Sequence, residues 1–323
     1  MTGAGGAALP FLIQSLKKHG YRVLTADMDP FAGGLFLSDR GFVIPKADDP
    51  HFLSAIKKIC SSESVDVIIP LVDEELVSIS QLEGTTVIPL TPRTEFIRIC
   101  LDKFQLVEHL KKHHIPLPRT ILAGDSPESI GFPCIVKPRT GRGSREVELL
   151  RNARDYQDWI KRTGKNASSY ILQEYLSGTE YTVSVIVWRD GHVQAIVPKE
   201  IISKKGITRL AVTRRHSGIE KYCTAIQEHL RADGPFNVQL RCDGDTGQPF
   251  LFEINPRYST TVSLTVLAGI EEVHGLVQQA LKGPEGYLFG PWNEGVVLMR
   301  NNQDYSVTKE QFEKMQAKIR NVS

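Results

Sequence analysis

The sequence predicts a mixed fold, in which an α/β domain is followed by a larger α+β region. In the first 92 residues, apolar strand segments alternate with amphipathic helix segments, which is typical of a parallel sheet. Further along, turn residues separate pairs of alternating strands that can form antiparallel hairpins. At 323 residues, the chain is long enough for about two to three domains, each with its own core.

The N-terminal elements follow from apolar periodicity. Strands are predicted at 21–26, 65–70 and 86–90, and helices at 9–18 and 50–60. Gly3, Gly5 and Gly6 resemble the tight turn after the first strand of a Rossmann domain, but only Met1 and Thr2 precede them. We therefore expect that first strand to be missing or reduced.

The segment 249–259, PFLFEINPRYS, carries Glu253, Asn255 and Arg257 at alternate positions of an apolar strand. Side chains two apart point to the same face, so a carboxylate, an amide and a guanidinium converge there. Such a trio can hold a divalent cation and a phosphate together. Taken alone, the segment also fits a buried strand with a structural ion pair. The opposite face is expected to consist of Phe250, Phe252 and Ile254, although Leu251 interrupts the alternation.

A second strand is predicted at 236–242, where FNVQLRC places Asn237, Gln239 and Arg241 on one face. The following residues, DGDTGQP at 243–249, have strong hairpin and turn chemistry. Pairing across this turn brings Gln239 near Glu253. Oxygen ligands from these side chains suit magnesium or manganese, which retain waters and substrate phosphates.

A basic, glycine-containing segment, GFPCIVKPRTGRGSR at 131–145, can supply a phosphate site. A short buried strand presents Lys137, and the loop after it at 139–145, the basic loop, contains Gly141 and Gly143. Glycines let backbone N–H groups approach anionic oxygens, while lysine and arginine supply positive charge. The pattern is neither a Walker loop nor GxGxxG. An exposed basic turn is the alternative interpretation.

Two strands joined by a Ser177-Gly178 turn are predicted within 170–187, YILQEYLSGTEYTVSVIV. Adenine needs an apolar slot with backbone hydrogen bonds at its edge, and a carboxylate beyond the turn can accept from ribose hydroxyls. Glu174 and Glu180 are suitably placed for these polar roles.

In this order, the segments resemble the carbamoyl-phosphate-synthetase-large-subunit-like branch of the ATP-grasp superfamily, over essentially the whole chain. The resemblance implies a Rossmann-like N-terminal (pre-ATP-grasp) domain followed by a two-lobed ATP-grasp fold. Turn clusters then divide the chain into the Rossmann-like domain at 1–92, a linker helix at 93–114, a lid at 115–176 and a C-terminal catalytic region at 177–323.

The resemblance also implies residue roles. Lys137 and Arg257 would be catalytic, with Arg257 contacting the transferred phosphoryl group. Gln239, Glu253 and Asn255 would hold Mg²⁺ or Mn²⁺, as two ions. The expected ATP-binding set is Lys103, Lys137, Arg139, Gly141, Gly143, Ser144, Glu174, Tyr175, Leu176, Glu180 and Gly206.

Two departures from the synthetase pattern matter. Thr208 stands after Gly206-Ile207, where the synthetase has a histidine, and the basic loop contains fewer glycines. Carbamate chemistry therefore does not follow from the resemblance.

Candidate substrate residues lie in two places. Asp73 and Glu75 follow the 65–70 strand, and ligands of open α/β sheets bind beyond the carboxyl ends of strands; acidic residues at a helix start also simply favour the helix dipole. The basic run 209–216, RLAVTRRH, can place Arg209, Arg214 or Arg215 over a phosphate, or can be a solvated strand edge. Of these three arginines, Arg214 is the predicted substrate residue.

Composition narrows the functional class. With 39 Lys and Arg against 37 Asp and Glu, the net charge of +2 gives no basis for nucleic-acid binding. No apolar run approaches the roughly 20 residues of a membrane span. The five cysteines show no CxxC spacing, so reduced thiols in the cytoplasm are expected. The tail at 308–319 is predicted to be an amphipathic helix.

The leading hypothesis is an ATP- and magnesium-dependent ligase that phosphorylates a carboxylate and joins it to an amine, releasing ADP and phosphate. Its partners would be small-molecule carboxylates and amines, and a homodimer is retained as an expectation. One alternative is a phosphotransferase that stops at the phosphorylated carboxylate or carbamate-like intermediate. Another is a catalytically silent nucleotide-binding module.

Overall fold

A computed structural model describes residues 1–143, 145–301 and 304–322. Its N-terminal part alternates helices with short strands, as predicted. The first helix has the predicted bounds, since Leu9, Leu12, Ile13 and Leu16 recur at helical spacing and are all buried. The elements are α1 (Leu9–Lys18), β1 (Leu24–Asp27), α2 (Gly33–Leu37), β2 (Arg40–Val43), α3 (Phe52–Ser62), β3 (Val67–Ile68), α4 (Leu76–Ser80) and β4 (Ile88–Pro89).

The N-terminal strands pair in parallel, β1 with β2 and β3 with β4. Thr2 forms an isolated parallel bridge with Ala26, and its backbone N–H donates to the carbonyl of Ile69 at 3.1 Å. Met1 and Thr2 therefore lie between β1 and the residues that follow β3. The first Rossmann strand is present only as this bridge, in agreement with the expectation that it is missing or reduced.

Two helices lead into a small antiparallel sheet of order β5-β8-β6-β7. Helix α7 covers this sheet, with Tyr156 and Trp159 buried in the core beneath it. The elements are α5 (Thr94–Leu101), α6 (Lys103–Lys111), β5 (Thr120–Leu122), β6 (Cys134–Pro138), β7 (Glu148–Leu150), α7 (Ala153–Thr163) and β8 (Tyr170–Glu174).

The C-terminal part is built on a six-stranded antiparallel sheet of order β13-β12-β9-β10-β11-β14. One face is apolar and packs on α8, with Val183, Val238 and Leu251 fully buried there. The opposite face carries polar side chains. The elements are β9 (Thr179–Val187), β10 (Val193–Lys205), β11 (Ile207–Thr213), α8 (Ser217–Leu230), β12 (Phe236–Cys242), β13 (Pro249–Asn255), α9 (Val262–Leu267), α10 (Glu272–Lys282) and β14 (Val297–Met299).

The C-terminal tail returns to the N-terminal domain. The predicted helix is α11 (Lys309–Gln316), and Phe312 on it stacks on Phe36 of α2 with ring centroids 5.6 Å apart. A last strand, β15 (Ile319–Asn321), then pairs in parallel with β2. The tail was predicted to belong to the C-terminal region at 177–323, but its strand lies in the N-terminal sheet.

The five cysteines are free and buried. Within the described parts of the chain, no helix has both the length and the apolar character needed to span a bilayer.

Candidate active site

The hairpin of β12 and β13 sets the register of the polar face. Gln239 lies directly opposite Glu253, and Asn237 lies opposite Asn255. In the turn between the strands, the Asp243 side chain accepts hydrogen bonds from the backbone N–H groups of Asp245 and Thr246. The predicted proximity of Gln239 and Glu253 is therefore confirmed.

A β-bulge explains the interrupted alternation of β13. Leu240 pairs with Leu251 although Gln239 pairs with Glu253, so Phe252 is an extra residue on β13. Its carbonyl is thereby freed and accepts from Lys137 Nζ at 3.0 Å. Phe252 was expected on the apolar face with Phe250 and Ile254, but it lines the polar cavity instead. The buried apolar positions are Leu251 and Ile254.

Lys103 is buried at the start of α6, where an isolated helix would leave it exposed. The preceding residue, Asp102, caps the helix by accepting from two backbone N–H groups. Lys103 Nζ lies 3.1 Å from Glu253 Oε1 and donates to the carbonyl of Gly141 at 2.9 Å. The lysine thus connects β13 to the basic loop.

Lys137 lies on β6, with its ammonium group 5.3 Å from the centre of the Phe252 ring. Burial lowers its pKa to about 7, and the positive charges of Lys103 and Lys204 act in the same direction, while Glu253 opposes them. An added anion would raise this pKa again, so Lys137 is suited to binding an anionic oxygen.

These side chains border a cavity of about 600 Å³ between the two antiparallel sheets. Its size falls in the range of small-molecule sites, which combine apolar walls with a few placed polar groups. The apolar walls come from Ile135, Val147, Tyr175, Leu176 and Phe252. The polar residues include Lys103, Lys137, Gly141, Arg142, Glu174, Glu180, Lys204, Gly206, Gln239, Arg241 and Glu253.

Two carboxylates at the cavity edge are already paired. Glu180 accepts from Lys204 at 2.8 Å and from Arg241 at 2.9 Å. Glu174 lies 3.2 Å from Arg119; burial favours a higher pKa for this carboxyl, but the hydrogen bonds from Arg119 outweigh it and lower the pKa. The oxygens of both carboxylates can accept from hydroxyl groups.

Several predicted residues do not line the cavity. Arg139 forms an ion pair with Asp102 at 2.6 Å, and Arg214 pairs with Glu200 at 2.9 Å. Gly143 has a positive φ of 75° but lies outside the lining. Ser144 falls outside the described residues.

Asn255 and Arg257 lie beyond the cavity wall, at the border with the N-terminal domain. Arg257 forms a buried ion pair with Asp73, and it also donates to Asn255 Oδ1 at 3.3 Å and to the carbonyl of Tyr258 at 3.1 Å. Asn255 Nδ2 is buried without a hydrogen-bond partner among the described residues. One predicted substrate residue and two predicted site residues thus meet at this border.

The acidic turn holds two further carboxylates in different surroundings. Glu74 accepts from Arg142 of the basic loop at 2.9 Å and is half-exposed. Glu75 is buried, and its Oε2 has no partner within the described parts of the chain. Burial, together with the charges of Asp27 and Glu74, raises the pKa of Glu75 to about 7.

A metal ion would need ligands beyond those of the protein. No group of three or more His, Cys, Asp or Glu side chains is placed to hold a metal within 1–143, 145–301 and 304–322. The predicted set offers one carboxylate, Glu253, with the amide oxygens of Gln239 and Asn255. Mg²⁺ needs few protein ligands when substrate phosphates and waters complete its shell. These residues therefore fit magnesium that arrives with a nucleotide.

Sequence reasoning missed Lys204, Arg142 and Arg241 as cavity residues. Arg241 carried a signal, since its position on the Gln239 face was predicted, and Arg142 lies inside the predicted loop. Lys204 had none, because two register shifts near Ser203 decide which way the end of β10 points.

The sequence matches known families in two places. Residues 4–87 match the family described as "PylC-like, N-terminal domain", and residues 166–303 match "ATP-grasp in the biosynthetic pathway with Ter operon". The chain contains an ATP-grasp domain preceded by a PylC-like N-terminal domain. The predicted family and fold class are thereby confirmed.

Similar proteins extend over most of this ATP-grasp chain. It is 22% identical to carbamoyl-phosphate synthase of Methanobrevibacter smithii, covering 82% of this chain and 76% of that protein. It is 26% identical to formate-dependent phosphoribosylglycinamide formyltransferase of Pseudomonas savastanoi pv. phaseolicola, covering 92% and 79%. These relatives are ATP-grasp ligases that form C–N bonds, which confirms the predicted enzyme class.

Solved structures show the same fold. An ADP complex of N5-carboxyaminoimidazole ribonucleotide synthetase superposes with a TM-score of 0.73 at 19% identity, covering 90% of this ATP-grasp chain and 77% of that one. The chain also spans 29% of the length of Rhizobium etli pyruvate carboxylase, with a TM-score of 0.72 at 14% identity over 88% of this chain.

Proposed function

We propose that this protein is an ATP- and magnesium-dependent carboxylate–amine ligase that works through an acylphosphate and releases ADP and phosphate. The observation that carries the proposal is the meeting of Lys103 and Lys137 with Glu253 and Gln239 in one cavity. Asn255 lies two residues after Glu253 on the same strand. Positive and metal-ligating groups are thereby concentrated where phosphates would lie.

In this proposal, the nucleotide occupies the cavity with its base against Tyr175 and Leu176. The carboxylates of Glu174 and Glu180 accept from the ribose hydroxyls, and Gly141 and Gly206 allow close approach of the backbone. Burial lowers the pKa of Lys137 to about 7, and a nearby phosphate would raise it again. The protonated Lys137 then binds a phosphate oxygen. The PylC-like and ATP-grasp matches support this placement.

Gln239, Glu253 and Asn255 would hold magnesium, which would supply Lewis-acid stabilisation of charge on the phosphates; two ions are proposed, and manganese is an alternative. Lys103 neutralises the remaining charge on Glu253, and Lys137 stabilises the phosphoryl group as it moves. The basic loop closes over the cavity and excludes water.

The proposed reaction has two steps, phosphoryl transfer and then amide formation. A carboxylate oxygen of the first substrate attacks the γ-phosphorus, the bond to the β-phosphate oxygen breaks, and ADP leaves. The nitrogen of the amine then attacks the acyl carbon, loses a proton, and expels inorganic phosphate. Arg257 and Asp73 border the space where the first substrate would bind, and Glu75 lies beside them. No side chain is needed as a covalent nucleophile.

The test is a screen of small acids and amines by ADP release, with hydroxylamine replacing the amine. A ligase gives ADP only with its carboxylate, and hydroxylamine traps the activated acid as a hydroxamate. AMP with pyrophosphate as stoichiometric products would overturn the acylphosphate route. ADP without hydroxamate would favour a phosphotransferase, and a silent binding module would give neither nucleotide product.

A further inference from the structure

Two arginines face each other across the edge strands of the large sheet. Leu210 of β11 lies opposite Met299 of β14, and the Arg300 backbone N–H donates to the carbonyl of Arg209 at 2.8 Å. The register therefore places Arg209 directly opposite Arg300, with both side chains on the same face. Both residues are half-buried.

This arrangement costs free energy unless an anion is present. Like charges directly opposite each other destabilise a strand pair. Burial lowers the pKa of Arg300, and the charge of Arg209 lowers it further. Among the residues described, no carboxylate oxygen lies within 4.0 Å of either guanidinium. A structural pair of this kind would normally carry a neutralising Asp or Glu.

The two arginines differ in their hydrogen bonds. Arg300 donates to the carbonyls of Thr208 at 2.9 Å and Thr260 at 2.6 Å, so its position is fixed. The Arg209 side chain makes no hydrogen bond to the described part of the protein. Its donors therefore remain available to a ligand.

The arginine pair lies on the catalytic face of the sheet. Lys199 of β10 is opposite Thr182 on β9 and opposite Thr213 on β11, and Thr182 in turn is opposite Gln239. Arg209 is the residue that the β10–β11 register skips, so its face follows from β14. Leu298, two residues before Arg300, packs with Leu264 of α9, and Lys199 donates to Thr265 of the same helix, so Arg300 and Arg209 opposite it are on the face of Gln239 and Glu253.

The contacts of Arg300 connect both sides of the proposed reaction site. Thr208 is two residues after Gly206, which lines the nucleotide cavity, and Thr260 is three residues after Arg257. The pair thus lies at the β14 edge of the large sheet, whereas Glu253 lies on β13 at the other edge.

We propose that Arg209 and Arg300 form an anion-binding subsite for a carboxylate or phosphate group of the acceptor, the first substrate, whose carboxylate receives the phosphoryl group. The inference rests on the proposed ligase function and adds a substrate class. The acceptor carries a second anionic group, remote from the group that reacts near Arg257. Paired guanidiniums recognise the planar or tetrahedral oxygens of such groups with several charge-assisted hydrogen bonds.

The experiment measures anion binding without turnover. The nucleotide site of the full chain is saturated with magnesium and a non-hydrolysable ATP analogue, and inorganic phosphate or acetate is titrated by calorimetry. Arg209→Gln is compared with Arg154→Gln, which removes the same charge from an exposed position on α7. We expect the dissociation constant of one anion to rise about ten-fold or more in Arg209→Gln only. The anion that responds shows which group the acceptor carries.

Thermal unfolding separates this role from a structural one. Without anion, Arg209→Gln should unfold at the wild-type temperature or above, because the like-charge contact is removed. Equal anion affinity in both proteins, or no saturable binding of either anion to the wild type, would overturn the subsite. Failure of the hydroxamate test would count against the ligase alone, since this titration needs no reaction.

Discussion

Asp73 and Arg257 form a buried ion pair although 184 residues separate them in the sequence. Asp73 belongs to the turn after β3 in the N-terminal domain, whereas Arg257 follows β13 in the ATP-grasp domain. The pair places the residue proposed to contact the transferred phosphoryl group against the domain proposed to bind the acceptor.

Asp73→Asn should destabilise the protein by about 3–5 kcal/mol, because it leaves the Arg257 charge buried without its counter-ion. The neighbouring Glu74→Gln is the matched control, since it breaks the half-exposed pair with Arg142 and should cost about 1 kcal/mol or less. Chemical denaturation of both variants measures the difference. Equal losses in the two variants would show that the buried pair contributes no more than a surface pair.

Glu253→Gln should lower turnover about 100-fold or more, because the amide keeps the shape of the side chain but removes the only carboxylate of the proposed metal set. ADP release is measured against magnesium concentration at saturating ATP. Glu285→Gln, at an exposed position after α10, is the control for loss of one carboxylate. Near-normal turnover of Glu253→Gln at low magnesium would remove Glu253 from the metal site.

Glu75→Gln should make stability less dependent on pH. The folded-state pKa of Glu75 is raised to about 7 from an ordinary 4.5, so its contribution is fully present below pH 4.5 and is lost as the pH rises through 7. The variant should be more stable than wild type by about 3 kcal/mol at pH 8 and by about 1 kcal/mol at pH 5. A constant difference between pH 5 and pH 8 in denaturation experiments would contradict the raised pKa.

The basic loop at 139–145 should gain protection from hydrogen exchange when magnesium and an ATP analogue bind. Arg139 and Gly141 are held by Asp102 and Lys103, but beyond them the described contact of the loop is the half-exposed ion pair of Arg142 with Glu74, which holds it only weakly. Backbone N–H groups that bind phosphate would exchange more slowly. Helix α8, which packs on the opposite, apolar face of the large sheet, serves as a segment whose protection should not change. Equal exchange of the loop with and without ligand would argue against a lid.

The polar face of the β12–β13 hairpin could be predicted, because residues close in sequence determine the register of the two strands. Alternation in 236–242 and the Asp243–Gln248 turn determine the register that brings Gln239 opposite Glu253. The bulge at Phe252 could not be predicted, since an extra residue in a strand is stabilised by the contacts around it, here the Lys137 hydrogen bond. The ion pair of Arg139, which was predicted to bind ATP but lies outside the cavity lining, could not be predicted either. Its partner, Asp102, lies 37 residues away and competes with a ligand for the guanidinium.

The return of β15 to the N-terminal sheet has a consequence for how the chain folds. Ile319 pairs with Gly41 across roughly 280 residues of sequence. Contacts at such separation form slowly, because a long loop must close before they stabilise anything. During synthesis, β15 can therefore complete the N-terminal sheet only after the whole ATP-grasp domain has left the ribosome. Until then the edge of β2 is unpaired and open to pairing with other chains.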